Sequence, residues 1–281
     1  MSRRARACVI GWPVEHSRSP LVHRYWLKRY RIDGSYDKIA VPPEELAAAF
    51  ERLRTEGYRG CNVTLPHKEA ALALADEADE IARAIGAANT LWFEGDRLCA
   101  TNTDGYGFIT HLSLSAPHWR QRAEPAAVLG AGGAARAILK GLLDEGVADI
   151  RLLNRTRARA EDLARRFDAA VAVADWDDRA AALEGCGLLV NTTSLGMVGA
   201  PALAIGLDGL ADQAVVADIV YTPLKTDLLR RAKARGLAAV DGLGMLLHQA
   251  VPGFEKWFGL RPEVDDGLRD LIVADLEGAA C

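Results

Sequence analysis

No stretch restricts the fold of this chain more than AAVLGAGGAARAI, residues 126–138. An apolar run enters Gly130-Ala131-Gly132-Gly133-Ala134-Ala135 and an alanine-rich helical pattern leaves it, so a buried strand must turn at once into a helix. The first glycine permits the tight turn, the second lets a pyrophosphate approach the backbone, and a small residue at Ala135 lets helix and strand pack. The helix start adds unbonded N–H groups and the positive end of a dipole. A tight turn without a ligand is the plainer reading. The strand before and the helix after favour a dinucleotide site, with Gly130, Ala131, Gly132, Gly133, Ala134 and Ala135 as its phosphate loop.

The next strand selects the dinucleotide. An NAD site carries Asp or Glu about 20 residues on, bonded to the ribose 2′-hydroxyl. Here Asn154 stands nineteen residues after Ala135, followed by Arg155, Thr156 and Arg159. A guanidinium pairs with a 2′-phosphate through parallel charge-assisted bonds, where a carboxylate would repel it. Asn154 and Thr156 can add neutral bonds. The alternative is a solvated helix start, and the spacing favours NADP over it.

Strand-like and helix-like stretches alternate around this motif. Residues 7–12, 35–41 and 61–65 read as strands, 20–30, 44–55 and 67–77 as helices, and 90–94 with 97–101 as a hairpin about Gly95-Asp96. A second series has strands at 126–131, 149–154, 170–175, 188–193, 214–220 and 238–242, with helices at 134–145, 157–167 and 224–235. Two amphipathic stretches follow, 245–258 and 266–276. The alternation predicts an α/β fold of parallel sheets built from βαβ units. A length of 281 residues suits about two domains. The crossing is expected at 111–124, a Ser/Pro/His/Trp/Gln/Arg stretch, or in the helix before it.

Charge and cysteine use narrow the partners. The 34 basic and 38 acidic residues leave a net charge of -4, which argues against nucleic-acid or anionic-membrane binding. No apolar run approaches the roughly 18 residues of a membrane span. The start, MSRRARACVIGWP, lacks the apolar centre of a signal peptide and reads as a first strand. Cys8, Cys61, Cys99, Cys186 and Cys281 are odd in number and widely spaced, so neither a disulfide framework nor a metal site is expected, and a reducing cytoplasm is.

Four polar clusters precede residue 110. Ser17 and Ser19 flank a helix entrance, where both hydroxyls could bond a carboxylate or polyol, although Ser19 as helix cap is the simpler reading. Asn62 and Thr64 share one strand face, with Lys68 at the strand-to-helix turn that follows. Asn89 enters an apolar strand, and Asn102 and Asp104 read as a turn. Each feature alone has a structural explanation. A lysine and an aspartate at separate strand ends, among hydroxyls and amides, together suggest a polyol-carboxylate site with an acid/base pair.

The ordered stretches GWPVEHSRSPLVH, GCNVTLPHKEAAL, IGAANTL, NTDGYGF, LGAGGAARAI, NRTRARAEDLA, NTTSLGM, ADIVYTPLKTDLL and DGLGMLLHQAVPGFEKWFG are similar to those of the shikimate dehydrogenase family, along essentially the whole chain. The resemblance implies NADPH-dependent reduction of 3-dehydroshikimate to shikimate, on the route to aromatic amino acids. It places the catalytic pair on Lys68 and Asp104, and substrate binding on Ser17, Ser19, Thr64, Asn89 and Gln249. Asn154, Arg155, Thr156 and Arg159 become the 2′-phosphate clamp. Gly242, Met245 and Val220 match positions near the nicotinamide, with Tyr221 beside them toward the substrate. The implied domains are 1–105 with 243–281 for substrate and 106–242 as a Rossmann-type, doubly wound NADP domain. The C-terminal helices would pack back on the first domain, and the expected assembly is a monomer or homodimer. Arg24 and Thr101 depart from the residues common in the family and could shift substrate preference.

The implied chemistry has Lys68 delivering a proton while Asp104 holds Lys68 and bonds the adjacent ring hydroxyl. The serine hydroxyls would take the carboxylate. No role falls to His16, His23, His67 or His248. The rival readings are a quinate/shikimate enzyme using NAD, one acting on an amino-shikimate analogue, and a non-catalytic NADP or ligand sensor on the same fold.

Overall fold

Ala7, Cys8, Val9 and Ile10 are all buried, so the first strand, β1 (Ala5–Gly11), is covered on both faces. The structure, a computed structural model, describes residues 4–167 and 170–278; Cys281 lies outside them. Beyond β1 run α1 (Ser19–Arg29), β2 (Gly34–Ala40), α2 (Leu46–Thr55), β3 (Gly60–Val63), α3 (Lys68–Leu74), β4 (Glu77–Ala78), α4 (Glu80–Ile85), β5 (Thr90–Glu94) and β6 (Arg97–Thr101). Their sheet has the order β2-β1-β3-β5-β6-β4. β1 is parallel to both neighbours, while β5 runs antiparallel to β3 and β6.

The second series contains α5 (Asp104–Ser115), β7 (Ala126–Leu129), α6 (Gly133–Asp144), β8 (Ile150–Leu153), α7 (Arg157–Ala164), β9 (Val171–Ala174) and α8 (Arg179–Ala182). It continues through β10 (Leu188–Asn191), β11 (Val215–Asp218), α9 (Asp227–Ala234), β12 (Ala238–Val240) and α10 (Leu243–His248). The sheet, β12-β11-β10-β7-β8-β9, is parallel throughout. This is the doubly wound order of dinucleotide-binding folds, whose direction of winding reverses between β7 and β10. The chain ends in α11 (Ala250–Phe258) and α12 (Asp266–Gly278).

The chain divides into two compact units, Met1–Thr103 with Gln249–Cys281, and Asp104–His248. In the first, Trp26, Tyr36, Phe254 and Trp257 are almost wholly buried, and they join α1, β2 and the returning α11. The Trp257 indole donates to the Leu91 carbonyl at 2.9 Å, which fastens α11 to β5. In the second, α5 lies close on α6. A Cβ at Gly105 would stand 2.6 Å from the Ala137 carbonyl oxygen, and one at Gly141 would stand 2.9 Å from Ile109.

Several local expectations change. Asp104 opens α5 instead of sitting in a turn, because the close packing of Gly105 holds that segment helical. Ser19 is the first residue of α1 and caps nothing; Arg18 takes the cap position without a side-chain bond. The stretch 245–258 is two helices, and α10, assigned from sequence to the first domain, lies in the second unit. The helix expected at 224–235 starts at Asp227, capped by the Thr226 side chain accepting from the Leu229 N–H. β4, α4 and α8 are too short to leave a periodic signal.

Candidate functional site

In the first unit, the segment before β5 gathers most of the polar groups. The Ala88 N–H donates to the Lys68 carbonyl at 2.9 Å, and Asn102 Nδ2 donates to the Ala87 carbonyl at 2.9 Å. Asn89 Oδ1 accepts from the Thr103 N–H at 2.9 Å, and Asn89 Nδ2 faces Gln249 Oε1 at 3.4 Å. Asn89 and Gln249, 160 residues apart, are thereby brought together.

Lys68 is half-buried at the first position of α3. Its neighbour His67 is buried and its Nε2 donates to the Val41 carbonyl at 2.7 Å, which pins the turn carrying the lysine. The Ser17 and Ser19 hydroxyls stand 3.3 Å apart at the entrance to α1. Arg18 between them is held by Asp275 of α12 at 2.9 Å. Thr64 follows β3 with its N–H on the Ile10 carbonyl at 2.9 Å, and its methyl occupies the space that a side chain at Gly11 would need.

In the second unit, the residues assigned to the cofactor lie at C-terminal strand ends: Gly130 after β7, Asn154 after β8, Val220 and Tyr221 after β11, Gly242 and Met245 after β12. Parallel α/β sheets bind ligands at that edge. Gly130 has φ +107, and a Cβ there would lie 2.6 Å from Thr192 Oγ1, so the turn requires glycine. Gly132 has an ordinary φ of -96 and a Cβ on it would meet nothing within 4 Å. Nothing in the chain itself requires glycine at that position, which is the cradle a pyrophosphate would fill. Ala135 is fully buried, as helix–strand packing demands.

The arginines after β8 separate into two kinds. Arg157 is held by Glu161 at 2.8 Å and Asp175 at 2.6 Å. The side chains of Arg155 and Arg159, both exposed, pair with no described residue. Thr156 occupies the cap position of α7 without a side-chain cap bond, and Asn154 Nδ2 closes the turn on the Thr156 carbonyl at 2.8 Å. These residues fit a 2′-phosphate. The loops after β11 and β12 also meet, since a Cβ on Gly242 would lie 2.1 Å from the Ile219 carbonyl oxygen.

Reasoning from sequence left out Tyr36, Asn191 and Asp218. Asp218 is buried, and it accepts from Asn191 Nδ2 at 2.9 Å, the Val220 N–H at 3.1 Å and the Thr226 hydroxyl at 2.7 Å. Burial pushes its pKa up, and those three donors oppose the rise. The available signal was an aspartate closing an apolar strand. Among the described residues, no group of three or more His, Cys, Asp or Glu is placed to hold a metal. No helix among them is long and apolar enough to cross a membrane.

The second unit thus defines a dinucleotide-binding α/β protein of NADP type, joined to a unit that clusters amides and hydroxyls. Family models agree in chain order: a shikimate dehydrogenase substrate binding domain over residues 9–91, shikimate/quinate 5-dehydrogenase over 117–198, and the shikimate 5'-dehydrogenase C-terminal domain over 242–268. The chain is 56% identical to a shikimate dehydrogenase (NADP(+)) of Azorhizobium caulinodans, covering 96% of each. Shikimate 5-dehydrogenase of Thermus thermophilus, solved with NADP(H) and shikimate, is 36% identical with a TM-score of 0.85, covering 97% of this chain and 99% of that one. Quinate dehydrogenase of Corynebacterium glutamicum, solved with NAD, is 29% identical with a TM-score of 0.87, covering 96% and 99%. The chain belongs to the shikimate dehydrogenase family.

Proposed function

We propose that the protein catalyses the reversible NADPH-dependent reduction of 3-dehydroshikimate to shikimate. The observation that carries this reading is the 56% identity, over 96% of both chains, to an enzyme of that name. NADPH, when bound, supplies the hydride. Lys68 gives a proton to the carbonyl oxygen as negative charge develops there, and takes it back in the reverse direction. Asp104, buried at the start of α5, accepts from the neighbouring ring hydroxyl. The Ser17 and Ser19 hydroxyls, 3.3 Å apart, are close enough for both to donate to one carboxylate. Thr64, Asn89 and Gln249 bind the ring hydroxyls, with Tyr221 beside them. Gly130 through Ala135 take the pyrophosphate, and Asn154, Arg155, Thr156 and Arg159 take the 2′-phosphate. Val220, Gly242 and Met245 line the nicotinamide side.

A second reading, quinate oxidation with NAD, draws on the likeness to quinate dehydrogenase. Exposed Arg155 and Arg159, in place of an acid after β8, favour NADP. Initial rates of nicotinamide absorbance change, crossing shikimate and quinate with NADP and NAD, decide between them. Strong turnover with shikimate and NADP alone is expected. Comparable quinate or NAD turnover would move the protein to the broader subgroup. Silence in all four with NADP binding intact would remove the assigned substrate. The free Cys8, Cys61, Cys99 and Cys186 suit a reducing, cytoplasmic setting, and a monomer or homodimer is expected on size-exclusion chromatography.

A further inference from the structure

Asn89 sits in a buried hydrogen-bond chain whose direction two backbone groups determine. Its own carbonyl oxygen lies 3.1 Å from Asn62 Nδ2. A carbonyl cannot donate, so the amide NH2 of Asn62 faces it and Oδ1 faces the other way. There Oδ1 accepts from the Tyr36 hydroxyl at 2.6 Å. The Asn62 NH2 also donates to Thr90 Oγ1 at 3.1 Å, which leaves the Thr90 proton for Asn89 Oδ1 at 2.9 Å. From the far side the Thr103 N–H, which can only donate, meets the same Oδ1 at 2.9 Å. The Thr103 hydroxyl then sends its proton to the Gln249 carbonyl at 2.8 Å. Tyr36, Asn62, Asn89, Thr90 and Thr103 are all buried, so bulk water does not replace a lost partner.

We infer that Tyr36 and Asn62 are positioning residues that, acting through Thr90 and together with the Thr103 N–H, hold the Asn89 carboxamide with its oxygen inward and its NH2 edge toward Gln249, so that Asn89 meets a substrate oxygen as a donor. The inference rests on the placement of substrate at Asn89 proposed above. It gives that contact a polarity. A hydroxyl oxygen is accepted there, whereas a protonated amine at the same ring position would set donor against donor. The relay therefore selects a hydroxylated ring over its amino analogue. Tyr36 does this without touching substrate, through a chain anchored by two groups of fixed role, the Asn89 carbonyl that only accepts and the Thr103 N–H that only donates.

Removing the Tyr36 hydroxyl leaves the buried Asn62 Oδ1 without its donor and loosens the hold of Asn62 on the Asn89 carbonyl and on Thr90. The test is Tyr36→Phe, assayed with shikimate and NADP+. The expected result is a shikimate KM about tenfold higher, equivalent to about 1.4 kcal/mol, with the NADP+ KM within about twofold. A general loss of stability would not split the two constants, and because the Tyr36 hydroxyl also faces Ser19, Thr90→Val, which leaves that contact intact, separates the relay from a loss at Ser19. Thr90→Val should give the same split and Thr90→Ser should restore it, which keeps the test open if Tyr36→Phe fails to fold. A shikimate KM unchanged in folded Tyr36→Phe or Thr90→Val, while Asn89→Ala raises it, overturns the relay. An unchanged KM in Asn89→Ala itself overturns the substrate placement instead.

Discussion

His23 should make the protein acid-sensitive by a calculable amount. Its ring is fully buried, stacked on Tyr36 at 3.9 Å and 6°, with Trp257 at 5.6 Å and Trp26 at 5.7 Å. Neither ring nitrogen finds a hydrogen-bond partner among the described residues. Burial pushes the imidazole pKa down to about 3 from 6.5. The folded state thus stays neutral at His23 while the unfolded chain takes up a proton below pH 6.5. Between pH 6.5 and 3 the unfolded state binds more protons, so stability falls as pH falls. Each unit is worth about 1.4 kcal/mol, which makes the His23 contribution a loss of about 3 kcal/mol at pH 4.5. His248, pushed down to about 4 by burial and by His111, adds to the same trend. His23→Phe keeps the stack and removes the titration. Urea unfolding from pH 7 to pH 4.5 should show the variant losing about 3 kcal/mol less than the parent, a relative midpoint shift of about 1–3 M. Parallel pH curves for the two proteins would refute the argument.

Lys68→Ala should lower kcat by about 10²–10⁴-fold with little change in shikimate KM, measured by steady-state rates; a raised KM with kcat intact would make Lys68 a binding residue only. Arg155→Ala should raise the NADP+ KM by about 10–100-fold, the worth of a charge-assisted contact, and leave NAD+ untouched. Arg157→Ala, already paired with Glu161 and Asp175, should change neither constant by more than about twofold. Gly132→Ala should weaken NADP+ binding in titration calorimetry without lowering Tm, since its Cβ meets no protein atom within 4 Å. Gly105→Ala, whose Cβ would press on the Ala137 carbonyl oxygen from 2.6 Å, should lower Tm markedly.

What could be read from the sequence was local. The glycine turn after β7, the hairpin of β5 and β6 and the six parallel strands announce themselves through period, turn residues and apolar runs. The polar residues of the site were visible as types but not as partners. Tyr36 and Asn62 stand 26 residues apart and Asn89 and Gln249 stand 160 apart, distances at which no periodicity carries information. Tyr36 in particular reads as an ordinary apolar position of an alternating strand, and only its hydroxyl partner reveals more. Asp104 misled for the opposite reason. Asn-Thr-Asp-Gly is strong turn chemistry, and close packing of Gly105 on α6 overrides it. Nor does spacing distinguish Arg157 from Arg155 and Arg159; the carboxylates that occupy Arg157 do.

The return of the chain through Gln249 to the first unit sets an order of assembly. The second unit is one uninterrupted run, Asp104–His248, and every strand of its sheet is available once that run has left the ribosome. The first unit holds most of the residues synthesised earliest, yet its aromatic core lacks Phe254 and Trp257 until α11 emerges. Gly60 is shaped for that late arrival, because a Cβ there would lie 2.4 Å from the Trp257 indole nitrogen. Synthesis therefore completes the run of the second unit before the first unit receives α11. The first unit, whose strands precede the second in the chain, thus waits until the chain has passed through the second for Phe254 and Trp257 to fill its aromatic core.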